Sequence, residues 1–141
     1  MLQRIQSIWL LLAAAFAAIT FKFPFFSGNK IVDTTTNTPV FTVLDASSTI
    51  WLSIITVLTG VIAFVNIFLF DNRKLQLRLC YLGIFLSVIL LIMYFLEMSH
   101  FITGSVSLWC IFYFAILGFY ILSARGIWKD AKLIKSMDRL R

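Results

Sequence analysis

The chain is poor in the residues that catalysis and metal binding draw on. In 141 residues it holds one histidine, His100, two cysteines, Cys80 and Cys110, and six acidic side chains. A zinc site needs three or four nitrogen, sulfur or carboxylate ligands, so His100 with Glu97 three residues earlier is short of a set. The two cysteines stand near opposite ends of their predicted helices, about 20 Å apart at helical rise and beyond disulfide reach. A thiol oxidase of four helices would need cysteines paired at short spacing, and these are not. No metal and no cofactor is expected. Charge is scarce as well: 13% of residues are charged against 61% apolar. A soluble domain of this size could not cover its core with so little polar surface. Of the two prolines, Pro24 together with Lys22 interrupts the first apolar stretch, and Pro39 stands in the loop after it.

What the chain does have is four long apolar runs, about 8–26, 48–70, 79–96 and 106–123. Each has the length a helix needs to cross a hydrocarbon core, and helices satisfy their own backbone groups there. The runs are continuous rather than alternating, which excludes a membrane β-barrel. The expected fold is an all-α membrane protein in a single domain, 1–141. It is a four-helix bundle with a short outer-side β-hairpin in the loop 27–47 and a C-terminal amphipathic cytoplasmic helix over 126–141. The opening stretch, with one base before its apolar run, is expected to be the first span rather than a cleaved leader.

The cations orient the spans. Ten of the twelve bases (Arg4, Arg73, Lys74, Arg78, Arg125, Lys129, Lys132, Lys135, Arg139 and Arg141) fall on one side, and Lys22 and Lys30 on the other. By the positive-inside rule both termini face the cytoplasm. Trp9 and Trp128 then fall near the inner interface, Trp51 and Trp109 near the outer. A net charge of +6 spread in this way indicates topology rather than nucleic-acid binding.

Within the outer loop, Ile31–Thr35 and Val40–Leu44 are the expected strands, rich in β-branched residues on either side of an Asn-Thr-Pro break. Glu97 and His100 are expected to make an interfacial contact. In the second run Thr49, Ser53, Thr56, Gly60 and Ala63 recur at helical spacing, a small-residue stripe that lets another helix approach closely. Ala13–Ala15, Ala17 and Ala18 offer a matching surface in the first run, and Asn66 is expected to hydrogen-bond across helices.

The tail "KDAKLIKSMDRLR" adds a signal of its own. On a helical wheel Ile127, Ala131, Leu133, Ile134, Met137 and Leu140 share one arc, and Lys129, Lys132, Lys135 and Arg139 the other. That suits an anionic inner leaflet. Asp130 and Asp138, however, project into the apolar arc, where carboxyl groups need partners. The tail is therefore expected to fold back beneath the spans, pairing at least one aspartate with Arg4, Arg73, Lys74 or Arg78, and first of all Asp138 with Arg4. The alternative is a solvated tail whose aspartates pair along the helix with Lys135 or Arg141.

Three blocks, "MLQRIQSIWLLLA", "LFDNRKLQLRLC" and "KDAKLIKSMDRLR", resemble in order a family of small inner-membrane proteins of Bacteroidota known as a domain of unknown function. The resemblance covers the whole chain and implies four spans with no assigned activity. It places Gln3, Arg4, Gln6, Arg73, Gln76, Arg78, Asp138 and Arg139 among family-like positions; Trp9 and Met137 depart from the usual tyrosine and alanine. With Lys74 and Asp130 these residues form a candidate cytoplasmic rim, for docking or for structural ion pairs.

Three functions compete. A non-enzymatic accessory or scaffold subunit would dock a partner through that rim. A small proton-coupled exporter working as a dimer would want a carboxyl deep in a span. An enzyme acting on lipid or quinone would need clustered His, Asp or Cys. The first fits best, with the lipid bilayer, and a larger inner-membrane complex or a second copy, as partners, and no nucleic acid.

Overall fold

Helix α1 (Leu2–Ile19) stops before the apolar run does. Pro24 lacks an N–H and disfavours helix at the residue before it, so the chain turns through residues 20–25. The carbonyls left open there are satisfied from another helix: the Tyr113 hydroxyl forks to the Phe23 oxygen at 2.8 Å and the Thr20 oxygen at 3.2 Å. The expected first span to residue 26 is thus shorter, and Phe26 begins a strand. The computed structural model describes residues 2–31, 39–69 and 72–138, with side chains placed for 5–30, 39–69 and 72–133.

Strand β1 (Phe26–Ile31) pairs antiparallel with β2 (Pro39–Leu44), and after the third helix with β3 (Thr103–Val106), giving the order β2-β1-β3. The expected two-stranded hairpin is therefore a three-stranded sheet, and its first strand lies earlier than expected. Residues 32–35 of the expected strand lie outside the described residues. Gly28 faces Gly104 across β1 and β3, and a Cβ on Gly28 would stand 2.7 Å from the Gly104 Cα. Only glycine allows that approach.

A turn built on Asp45 leads into the next helix. Its Oδ1 accepts from the Ser47 N–H at 3.0 Å and the Ser47 hydroxyl at 2.8 Å. Helix α2 (Ile50–Phe68) then buries Leu52, Thr56, Thr59, Ala63 and Asn66. This inward stripe shares Thr56 and Ala63 with the expected one. Thr49 occupies the N-cap position without a side-chain capping bond, the Ser53 hydroxyl bonds the Ala46 oxygen at 2.7 Å, and Gly60 faces α1, where an added Cβ would lie 3.3 Å from that of Ala17.

Helix α3 (Arg73–Met98) buries Gln76, Cys80, Gly83, Ser87, Leu90, Leu91 and Tyr94 at helical spacing. After β3 and a 3-10 turn at Leu108–Cys110, helix α4 runs unbroken from Ile111 to Asp138. The expected separate tail helix is thus the last turns of α4. At 28 residues and 1.5 Å rise, α4 spans about 42 Å, about 12 Å more than a hydrocarbon core. The apolar-to-amphipathic change seen in the sequence marks where the helix outruns the greasy segment, not a break in it.

Each helix packs on two others, α1 and α3 both lying against α2 and α4. Contacts such as Gln6–Asp130, Phe16–Phe112, Asn66–Cys80 and Cys80–Ser123 make neighbouring helices antiparallel. The start of α1, the end of α4 and the α2–α3 link consequently share one end, and the sheet covers the other. The core has two tiers. Leu10, Ala17, Ala63, Ile116, Tyr120 and Ile127 fill the tier toward the chain ends. Phe25, Phe26, Leu52, Leu90, Tyr94 and Tyr113 fill the tier toward the sheet.

Three stretches, Ile50–Phe68, Arg73–Met98 and Leu108–Leu133, are helical, long and apolar enough to cross a membrane. Their outward faces carry Ile54, Val61, Phe64, Phe85, Ile92, Phe95 and Ile121, all exposed. A continuous apolar exterior of that extent is stable only under hydrocarbon or protein cover.

Candidate functional site

Polar side chains collect at the end that holds the chain termini. The Gln6 amide of α1 donates to the Asp130 carboxyl of α4 at 2.6 Å, and both residues are only about 6% exposed. Gly126, one turn before Asp130, makes room for this bond: a Cβ there would lie 2.9 Å from the Gln6 Cγ. Asp130 does turn inward as its place on the apolar arc requires, but its partner is the Gln6 amide instead of a base. An amide donor satisfies the carboxyl oxygen without bringing a charged base out of water.

One layer deeper, the Asn66 amide of α2 donates to the Cys80 sulfur of α3 at 3.0 Å, and that sulfur lies 3.7 Å from the Ser123 hydroxyl of α4. The Gln76 amide donates to the Asn66 backbone oxygen at 3.2 Å. That carbonyl is in the last turn of α2, so Gln76 caps one helix from the first turn of the next. The Tyr120 hydroxyl donates to the Thr59 oxygen at 2.6 Å, tying α4 to α2 across the ring. Its ring lies where a Cβ on Gly83 would be. Cys80 and Cys110 are both free thiols.

Of the residues the sequence singles out for the rim, Gln6, Gln76 and Asp130 are therefore buried and engaged with other helices. Lys74 and Arg78 are exposed and Arg73 is half-buried at the same end. Arg125, Lys129 and Lys132 join them on the surface of α4. Only the helical backbone of Gln3, Arg4 and Asp138 is described, and Arg139 lies outside the described residues, as does the Arg4–Asp138 pair. Gly126, Gly83, Ser123 and Tyr120 escape a reading by residue type. The available signal was spacing: Gly126 stands four before an inward aspartate, within an otherwise unbroken helix.

At the opposite end, Glu97 has Lys30 as its partner, with 3.8 Å between charged atoms, while His100 is exposed. His100 does bond Glu97, but through its backbone N–H to the Glu97 backbone oxygen at 3.1 Å, while the Glu97 carboxyl meets Lys30 because β1 carries that base over the end of α3. Lys30 also lies 5.9 Å from the centre of the Phe101 ring. Among the described residues, no three His, Cys, Asp or Glu side chains gather where they could hold a metal ion.

The polar end can thus do two things chemically. It locks four helix ends together through side-chain hydrogen bonds, and it presents exposed cations outward that have no acidic partner among the described residues. No curated protein and no solved structure matches the chain. A family model described as a domain of unknown function, DUF4293, covers residues 2–140, and the chain belongs to that family.

Proposed function

We propose that the protein is an integral component of a bacterial inner membrane, acting as a non-enzymatic accessory or scaffold subunit that docks a larger complex, or a second copy, through its cytoplasmic rim. In this reading α1 is the fourth span. Its 18 residues cover about 27 Å, near the thickness of a hydrocarbon core. Both chain ends then face the cytoplasm, as the positive-inside rule requires of the cation-rich end.

One observation carries the docking role. Lys74, Arg78, Arg125, Lys129 and Lys132 are exposed together at one end, while the inward Gln6, Asp130, Gln76 and the Asn66 amide nitrogen there make helix-to-helix bonds. A surface of exposed cations over bonded helix ends suits recognition of an acidic partner, with charge steering the encounter.

The test is purification from native membranes in mild detergent, with mass spectrometry of whatever co-purifies in stoichiometric amount. The docking role predicts a partner that is lost from Lys74→Glu/Arg78→Glu and kept by Lys22→Glu at the opposite end. A clean homodimer with proton-dependent dye efflux would replace it by the exporter.

A further inference from the structure

Helix α4 carries Arg125, Trp128, Lys129 and Lys132 at three- and four-residue spacing, hence on one face. They line a cleft of about 700 Å³ at the cationic end. Arg125 and Trp128 also line an adjoining apolar furrow of about 200 Å³ between α3 and α4, with Tyr81, Ile84, Ile121 and Ala124 as its walls. The Cys80–Ser123 contact sets these stretches side by side, so the furrow leads from the cationic level toward the middle of the helices.

We infer that the cleft and furrow together bind one anionic phospholipid, its phosphate among Arg125, Lys129 and Lys132 and an acyl chain in the furrow. The chemistry of each half selects the occupant. Three cations line or border the cleft, and none has an acidic partner among the described residues. The Arg125 guanidinium offers a planar fork suited to phosphate oxygens. Lys132 Nζ lies 5.6 Å from the centre of the Trp128 ring, which holds the ammonium beside the cleft rather than free in water. Trp128, exposed at the boundary between cleft and furrow, has the amphipathic ring that favours the headgroup level. A free phosphate or an acidic peptide would have no use for the furrow, and an acyl chain alone none for the cations. Only an anionic lipid uses both.

This inference rests on the membrane reading, and the two fail separately. Release of the protein from membranes by alkaline carbonate would overturn the membrane reading and the lipid site with it. For protein retained through that wash, native mass spectrometry in detergent with added phosphatidylglycerol, phosphatidylcholine or inorganic phosphate tests the site alone. One phosphatidylglycerol should stay bound in preference to phosphatidylcholine. Lys129→Gln and Lys132→Gln should each weaken it about fivefold, as removal of one base near an anionic headgroup does. Ile121→Trp, at an exposed position of the furrow, should weaken the lipid and leave inorganic phosphate unaffected. Equal retention of the two lipids, competition by millimolar inorganic phosphate alone, or lipid binding unchanged in both lysine variants would each overturn the inference.

Discussion

Replacing Asp130 by alanine removes the acceptor that the Gln6 amide reaches at 2.6 Å, in a place where both side chains are nearly sealed from water. The stranded amide then pays its desolvation without a partner, about 1–3 kcal/mol. Gln6→Ala strands the carboxyl oxygen instead, at a similar or larger cost. With both removed, no unsatisfied group remains, so the double variant should be less damaged than the two singles added together. The expected coupling is about 1–2 kcal/mol, within the range for groups in direct contact. Asp130→Asn keeps an acceptor oxygen in place and should lose less than Asp130→Ala. Cys80 is a convenient reporter, being free, fully buried and one layer above the clamp. In a Cys110→Ser background, its reaction with a thiol-reactive fluorophore during heating in detergent follows the opening of this end. Additive single and double variants, with coupling below about 0.3 kcal/mol, would refute the clamp.

Two further substitutions probe the helix contacts. Gly83→Ala should destabilise by about 1–3 kcal/mol through overlap with the Tyr120 ring, and adding Tyr120→Leu should recover part of that loss in the same thermal assay. A loss from Gly83→Ala that Tyr120→Leu leaves unchanged would assign it to something other than the ring. Gly60→Leu should force α1 away from α2 at Ala17 and lower the melting temperature in detergent; an unchanged melting temperature would refute the close approach.

The apolar runs already marked helices α2, α3 and the apolar part of α4, since hydropathy is a local property that packing does not rewrite. Asn66 crossing to α3 and Asp130 turning inward were legible too, because a lone polar group on an apolar face must find a partner. The identity of the partner was not. Gln6 is 124 residues from Asp130, and charge alone favoured a base over an amide. Strand β3 was hidden for a different reason. Thr103–Val106 is exposed along its whole length and has no alternation, so its order comes entirely from pairing with β1. β1 itself, with Ser27, Gly28 and Asn29 at its centre, has weak strand propensity, and the Gly28–Gly104 approach makes up for it. The tail looked like a separate element because composition changes at its start, although nothing there stops a helix.

The proposed sidedness of the cationic end underlies both the docking rim and the lipid site. Single cysteines at Lys132→Cys and Ser105→Cys, in a Cys80→Ala/Cys110→Ala background, can be challenged with a membrane-impermeant maleimide in sealed cells. The account predicts labelling of Ser105→Cys from outside, and of Lys132→Cys only after the cells are opened. Labelling of Lys132→Cys in intact cells, with Ser105→Cys protected, would contradict it.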